Sequence, residues 1–124
     1  MILNETFKMA NGVEIPKLGL GTWDIPDGKA AQAVRDAVKV GYRHIDTAQG
    51  YGNERGVGEG VRSCGMAREE IFVTTKLDGN IKDYKTAVSA IDGSLKTMEL
   101  DYIDLMIIPV SYTHLRAHET GAYL

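Results

Sequence analysis

Hydrophobic and polar positions along this chain follow two different periods, which alternate from one segment to the next. Near the start, TFKMA and VEIPKL both alternate and are separated by Asn11-Gly12, a combination that predicts a β-hairpin. The apolar stretch LGLGTW then predicts a buried strand with glycines near its end. Three further short strands are predicted at RHIDTA, EEIFVTTKL and YIDLMII.

Between these strands, apolar residues recur three and four positions apart, as on the buried face of a helix. Asp27 is predicted to cap a first helix that runs through Val40 and ends at Gly41. A second helix is predicted in NERGVGEGVRSC, although each of its glycines costs about 1 kcal/mol. Asp83 is predicted to cap the third. The three apolar faces comprise Ala30, Ala33, Val34, Ala37 and Val38; Val57, Val61 and Cys64; and Ala87, Val88, Ile91, Leu95 and Met98.

After the hairpin, strands and helices alternate, which predicts an α/β protein with parallel strands and crossover helices. Two architectures fit this order: an open doubly wound sheet, or part of a (β/α)8 barrel. Gly19-Leu20-Gly21 begins like the glycine-rich dinucleotide fingerprint, but Asp24 stands where its third glycine is required. A nicotinamide site of the Rossmann kind is therefore not predicted.

Composition and charge remove several classes of function. The 124 residues are 44% hydrophobic and 25% charged, ordinary values for one globular domain. A net charge of −3 gives no basic surface for nucleic acid. The single cysteine, Cys64, is interpreted as a small apolar residue, and no metal site is predicted. With no secretory leader and no apolar run long enough to span a bilayer, a cytoplasmic protein is expected.

The candidate chemistry lies where the second and third parallel strands end. Asp46 ends one strand, Tyr51 follows in the next loop, and Lys76 ends the other strand. In a barrel, all strand carboxyl ends open onto one face, so the three side chains could converge. A phenol is normally too weak an acid at neutral pH, and a neighbouring ammonium favours its ionised form. Together they could form a proton donor for a carbonyl oxygen, with hydride supplied by a cofactor.

Each of these residues also has a structural interpretation. Asp46 and Lys76 could be an ordinary ion pair at the barrel mouth, and Tyr51 a loop aromatic. Trp23 could be a core residue or a wall of a substrate pocket, and the pattern leaves both open. Arg43 and His44 are interpreted as structural residues around the second parallel strand.

The stretch GYRHIDTAQGYGNERGVG, residues 41–58, resembles the first signature of the aldo-keto reductases. The resemblance extends from Phe7 to Ile108 through the hairpin, LGLGTW, FVTTKL and LDYIDLMII. It implies that residues 1–108 are the N-terminal half of a (β/α)8 TIM barrel, preceded by a β-hairpin, with four strands and three helices. It also implies NADPH, or less often NADH, as cofactor and a small-molecule aldehyde or ketone as substrate.

The resemblance also assigns roles to individual residues. Asp46, Tyr51 and Lys76 occupy three of the four places in the family's catalytic tetrad, with Tyr51 as the general acid. Gly21, Thr22 and Trp23 match the loop beside the nicotinamide, and Asp46 belongs to the cofactor site as well.

The fourth member of the tetrad, a histidine, is missing from its expected place. The family has histidine directly after the fourth strand, whereas this sequence has Pro109. The following letters, VSYTHLRAHET, are what one reading frame of a transposase-based sequencing adapter encodes. Residues 109–124 are therefore expected to be a non-native tail, so His114 and His118 are not candidate catalytic residues.

A half barrel has consequences for the chain as written. Its two open sheet edges are expected to promote self-association, and the chain is expected to be inactive and poorly soluble. Two rival functions remain: a cofactor-binding regulatory subunit without turnover, and a barrel lyase or aldolase that uses Lys76 as a Schiff base.

Overall fold

The computed structural model describes residues 1–109 and the backbone of residues 122 and 123. Its strands are β1 (Thr6–Lys8), β2 (Glu14–Pro16), β3 (Gly19–Gly21), β4 (His44–Asp46), β5 (Phe72–Lys76), β6 (Leu105–Ile108) and β7 (Ala122–Tyr123). Its α-helices are α1 (Asp27–Lys39), α2 (Glu54–Ser63) and α3 (Tyr84–Met98). Short 3-10 turns occupy Ile2–Asn4, Gln49–Tyr51 and Arg68–Glu70. None of the described helices is long and apolar enough to cross a membrane.

The order of the parallel strands decides between the two architectures that the sequence left open. Strands β3, β4, β5 and β6 lie side by side in chain order, and each is parallel to the next. A doubly wound sheet instead reverses its order at a switch point. This sheet has no such reversal, and α1 packs on α2 as α2 packs on α3. The arrangement is an arc of a barrel with its helices in one outer layer.

The core lies between the outward face of the sheet and the helices. Ile45 of β4 and Val73 of β5 are fully buried and face α1 and α2. They pack with Ala30, Val34, Val38, Val57, Val61, Ile71, Met98 and Leu100. Since successive strand residues face opposite sides, the neighbours of Ile45 and Val73 point toward the inside of the arc. Cys64 is half-buried against this core, as expected of a small apolar residue.

The predicted hairpin is confirmed, as is the end of α1. Strands β1 and β2 pair antiparallel around a turn in which Gly12 has a φ of +88°. At the end of α1, Gly41 has a φ of +113°, and its N–H donates to Val38 O while that of Tyr42 donates to Ala37 O. These two bonds form a Schellman motif, which a glycine at this position permits.

Two predictions about the helices are wrong. Asp27 does not cap α1, because its Oδ1 accepts a hydrogen bond from the backbone N–H of Gly56 in α2, and Pro26 stands at the cap position. Val88 does not belong to the buried face of α3, since it is 40% exposed. Only Ser94 and Met98 of α3 are buried, and both lie in its C-terminal half. The predicted cap of α3 is confirmed, as Asp83 accepts from Thr86 N at 2.8 Å.

The outer strands of the five-stranded sheet are β3 and β7. Strand β7 pairs antiparallel with β6, placing Ile107 opposite Tyr123 and Ile108 opposite Ala122. At the other end of the sheet, β3 pairs only with β4 among the described strands. Among the described strands, neither β3 nor β7 has a second partner, so self-association through the two open edges remains a prediction.

Candidate functional site

The three side chains singled out at the strand ends meet in the structure. The Lys76 ammonium contacts Oδ1 of Asp46, and it donates to the hydroxyl oxygen of Tyr51 at 3.3 Å and to the backbone carbonyl of Thr47 at 3.1 Å. The Asp46 and Lys76 side chains remain 35% and 27% exposed. Because the Tyr51 oxygen accepts from Lys76, its own proton is available to another acceptor. The cluster is therefore open to a ligand from the carboxyl ends of the strands.

Below this cluster, side chains fill the inside of the arc and lie close to Gly19. Nε2 of His44 lies 2.8 Å from Thr74 Oγ1, and its ring packs edge-on against Phe72. A Cβ at Gly19 would stand 3.1 Å from the His44 ring. Burial lowers the pKa of His44 below its usual value of 6.5, against smaller opposing effects of the Pro16 carbonyl and nearby carboxylates. This agrees with the structural interpretation of His44.

The loop after β3 carries Gly21, Thr22 and Trp23 beside the cluster. Thr22 is fully buried, and both its N–H and its hydroxyl donate to the backbone carbonyl of Asp46, at 3.1 and 2.9 Å. Its side chain therefore holds the loop against β4. Trp23 is 72% exposed, which excludes the core interpretation. Gly21 is exposed as well, so these two residues present the surface beside Asp46.

Sequence reasoning missed Asn53, which had been included only as a residue of the second helix. Asn53 is fully buried, and its amide donates to Thr22 O at 2.8 Å and to Ile25 O at 3.0 Å. Its Oδ1 accepts from the Thr47 hydroxyl at 2.7 Å. One side chain thus joins the loop after β3 to the end of β4. The periodic pattern could not reveal it, because its partners lie as far as 31 residues away.

Sequence reasoning also missed the contacts that hold the turn carrying Tyr51. Gln49 begins this turn, and its amide contacts α3 through Ser94 Oγ and Ala90 O, both at 2.9 Å. Ser94 in turn donates to the buried carboxylate of Glu54. Gln49 and Glu54 both lie in the stretch 41–58 that carries the family resemblance, but neither was assigned a role from the sequence.

Comparison with known proteins gives the family. The sequence model of the Aldo/keto reductase family matches residues 17–120, most of the chain. The chain belongs to the Aldo/keto reductase family. The match begins after the hairpin and extends past Ile108, further than the motifs alone carried the resemblance.

Individual relatives agree with this assignment. The chain is 46% identical over 107 residues to the glyoxal reductase of Bacillus subtilis, covering 86% of this chain and 39% of that protein. The crystal structure of an aldo/keto reductase from Brucella melitensis superposes with a TM-score of 0.81 at 48% identity, covering 84% of this chain and 40% of that one. A Bombyx mori aldo-keto reductase in complex with NADP gives a TM-score of 0.79 at 39% identity, with 84% and 37% covered.

These relatives establish the fold and show how much of the relatives' length the chain covers. The expected architecture, the N-terminal half of a (β/α)8 barrel preceded by a β-hairpin, is confirmed. The chain spans about two fifths of the length of the reductases it matches.

Pro109 directly follows the end of β6. Since Ile107 of β6 pairs with Lys76, position 109 lies at the same end of the sheet as the cluster. Proline has no ionisable or hydrogen-bonding side chain to add there. His114 and His118 lie outside the described residues.

Proposed function

We propose that this chain carries the proton-donating part of an NAD(P)H-dependent carbonyl reductase. The single observation that carries the proposal is the contact of Lys76 with both Asp46 and the Tyr51 hydroxyl at the open ends of the parallel strands. Tyr51 is the general acid, Lys76 supports its ionised form, and Asp46 aims Lys76. The substrates are small aldehydes or ketones, which become alcohols.

The geometry suits proton donation to a carbonyl oxygen. Lys76 donates to the Tyr51 oxygen, so the phenolic proton can be directed outward to a substrate oxygen. As the substrate carbon is reduced, its oxygen gains negative charge and takes this proton. The ammonium of Lys76 then stabilises the phenolate that remains. A general acid positioned in this way contributes roughly a hundred- to ten-thousand-fold in rate.

The exposed surface beside the cluster fits the nicotinamide end of a dinucleotide. A Cβ at Gly21 would meet no atom within 4 Å, so a ring and its sugar can approach the backbone there. Trp23 offers an exposed aromatic face on the same loop. Asp46 uses Oδ1 for Lys76, which leaves its other oxygen for a ribose hydroxyl. When bound, the cofactor supplies the hydride that the side chains cannot. NADPH is proposed first, with NADH as the alternative.

The test completes the barrel with a known reductase. Residues 1–108 are joined to the C-terminal part of the Bacillus subtilis glyoxal reductase, and oxidation of NADPH is followed with glyoxal. The chimera is expected to turn over, and Tyr51→Phe is expected to lower kcat at least about a hundred-fold. The 124-residue chain alone is expected to be inactive.

Tyr84→Phe is the matched control. Tyr84 is 85% exposed at the start of α3, so this change is expected to leave kcat unaltered. Turnover that survives Tyr51→Phe within a factor of about three would refute the role of Tyr51 as general acid.

Two rival functions make different predictions in the same chimera. A Schiff-base enzyme needs a lysine with a free lone pair, whereas Lys76 donates to three acceptors. Borohydride trapping of a carbonyl compound on Lys76 would support that rival. A regulatory subunit would bind NADPH but reduce no aldehyde.

The proposal for residues 109–124 is tested separately, on DNA. We expect the gene, amplified from its source, to encode histidine at position 109 and to continue into further βα units. Proline at that codon followed by VSYTHLRAHET would show that the tail is native and that the fourth tetrad residue is absent.

A further inference from the structure

A buried carboxylate lies behind the proposed acid, on the outward side of the sheet. Glu54 is only 8% exposed, and its Oε2 accepts from the hydroxyls of Thr75, at 2.7 Å, and Ser94, at 2.9 Å. Both hydroxyls donate to the same carboxylate oxygen, so both of their protons point toward Glu54. The Ser94 oxygen therefore has only lone pairs left for any other partner.

Gln49 is the other partner of Ser94, and its amide has one satisfied orientation. Its Nε2 donates to Ser94 Oγ and to Ala90 O, both at 2.9 Å, and its Oε1 accepts from the backbone N–H of Asp78 at 3.1 Å. Rotating the amide by half a turn would place its oxygen against a carbonyl and a hydroxyl that has no proton to give. Glu54, acting through Ser94, thus favours the same orientation of Gln49 as the Ala90 carbonyl does.

The same amide joins the two segments that carry the proposed catalytic pair. Gln49 is the first residue of the short 3-10 turn that ends at Tyr51. Asp78, which donates to Gln49, follows Lys76 by two residues. A 3-10 turn of this length has few bonds of its own, here Tyr51 N to Ala48 O and a long bond from Gly52. The Gln49 side chain is therefore a principal tether of the turn.

We propose that Gln49 is a positioning residue that sets the place of Tyr51 relative to Lys76, with its own amide oriented in part by Glu54 through Ser94. The role in turnover rests on the proposed function of Tyr51 as acid, but the geometric role does not. The Lys76–Tyr51 hydrogen bond is 3.3 Å long, so a small displacement of the turn breaks it. A misplacement of about 1 Å at a reacting group can cost a hundred-fold in rate.

The geometric part is tested by NMR with ring-13C-labelled tyrosine in the 124-residue chain, in dilute solution because poor solubility is expected. The Tyr51 resonance is assigned with Tyr51→Phe, and its response to Lys76→Met is measured, since the ammonium lies 5.1 Å from the ring centroid. Gln49→Met keeps the length of the side chain but removes its hydrogen bonds. In the Gln49→Met background, the shift of the Tyr51 resonance caused by Lys76→Met is expected to be at least about two-fold smaller than in the unmodified chain.

Matched controls separate positioning from stability. Gln32→Met makes the same chemical change on the exposed face of α1, and it is expected to leave the response unaltered. Ser94→Ala is a smaller change that tests the link between Gln49 and Glu54. It replaces Gln49→Met in the experiment if that variant does not fold. Its control is Ser89→Ala, an exposed serine on the same helix. If Gln49 only stabilised the fold, Gln49→Met would lower the free energy of unfolding but leave the response of Tyr51 to Lys76→Met intact. That result would overturn the proposal.

The kinetic part uses the completed barrel. There, Gln49→Met is expected to lower kcat about ten- to a hundred-fold and to leave KM within about two-fold, while Gln32→Met changes neither. Unchanged kcat, in a chimera whose turnover depends on Tyr51, would overturn the role of Gln49 in turnover. If the NMR response falls in Gln49→Met but Tyr51→Phe leaves turnover intact, the positioning role stands and the proposed function falls.

Discussion

The hydroxyl of Thr47 donates a 2.7 Å hydrogen bond to Oδ1 of Asn53, and neither residue is exposed to solvent. Thr47 directly follows Asp46, and Asn53 directly precedes Glu54, so this bond closes the loop that carries Tyr51. The Asn53 amide completes its own hydrogen bonding with the loop after β3. Two strand-end segments, the loop after β3 and the end of β4, are thereby held by one buried side chain.

Replacing Asn53 is therefore expected to destabilise the protein strongly. Asn53→Ala removes two buried hydrogen bonds and a partly buried one, and it leaves two carbonyls and a hydroxyl without their partner, which should cost about 2–4 kcal/mol. Urea unfolding gives the free energy directly. Asn80→Ala, at an exposed turn, is the control and should change the free energy by less than about 0.5 kcal/mol. Equal effects of the two substitutions would contradict this account.

Replacing glycine by alanine is expected to have opposite effects on stability at two positions, one in α2 and one in α3. A Cβ at Gly58 of α2 would stand 2.2 Å from the backbone carbonyl oxygen of Met98, at the end of α3. Gly58→Ala must therefore move one helix, at a cost of about 1–3 kcal/mol or more. A Cβ at Gly93 of α3 would meet nothing within 4 Å, so Gly93→Ala should stabilise the helix by about 0.5–1 kcal/mol. Thermal unfolding measures both, and destabilisation by Gly93→Ala would count against the structure.

The buried position of His44 predicts a dependence of stability on pH. Burial lowers its pKa in the folded chain below the value of 6.5, so the unfolded chain binds the proton more readily. The free energy of unfolding should therefore be constant above about pH 7 and should fall as the pH drops from 6.5 toward the folded pKa. His44→Gln is expected to reduce this fall between about pH 7 and pH 5.

A double variant provides the control for that measurement. The pair His114→Gln and His118→Gln removes the other histidines of the chain and should preserve the fall. An unaltered pH dependence in His44→Gln would mean that another group is responsible.

The sequence predicted the order of elements and the members of the site from simple regularities. Periods of two and of three to four located the hairpin, the strands and the helices, because these regularities depend on each element's own residues. Asp46, Tyr51 and Lys76 were identified from their positions at strand ends, since a parallel sheet brings those ends together.

The side chains that fix the site could not be predicted in the same way. Gln49 bonds residues 41 and 45 positions away, and Asn53 bonds residues 28 and 31 positions away. A polar residue in a loop gives no sign of partners this distant. The exposure of Val88 likewise depends on which other elements cover α3, and no helical period encodes that.

Asp27 shows how a local rule can locate a residue but misjudge its partner. Its carboxylate bonds Gly56 N and Arg55 in α2, and the hydrogen bond from Arg55 holds the Asp27 pKa below its usual value of 3.8. Asp27→Ala is therefore expected to speed hydrogen exchange at the Gly56 amide and to leave the first turn of α1 unaltered. Since the folded pKa is depressed, this stabilisation is present above about pH 4 and is lost as the pH falls through the folded pKa. Asp83→Ala, the control, should instead expose the Thr86 amide of α3. Faster exchange confined to the start of α1 would restore Asp27 as the cap of its own helix.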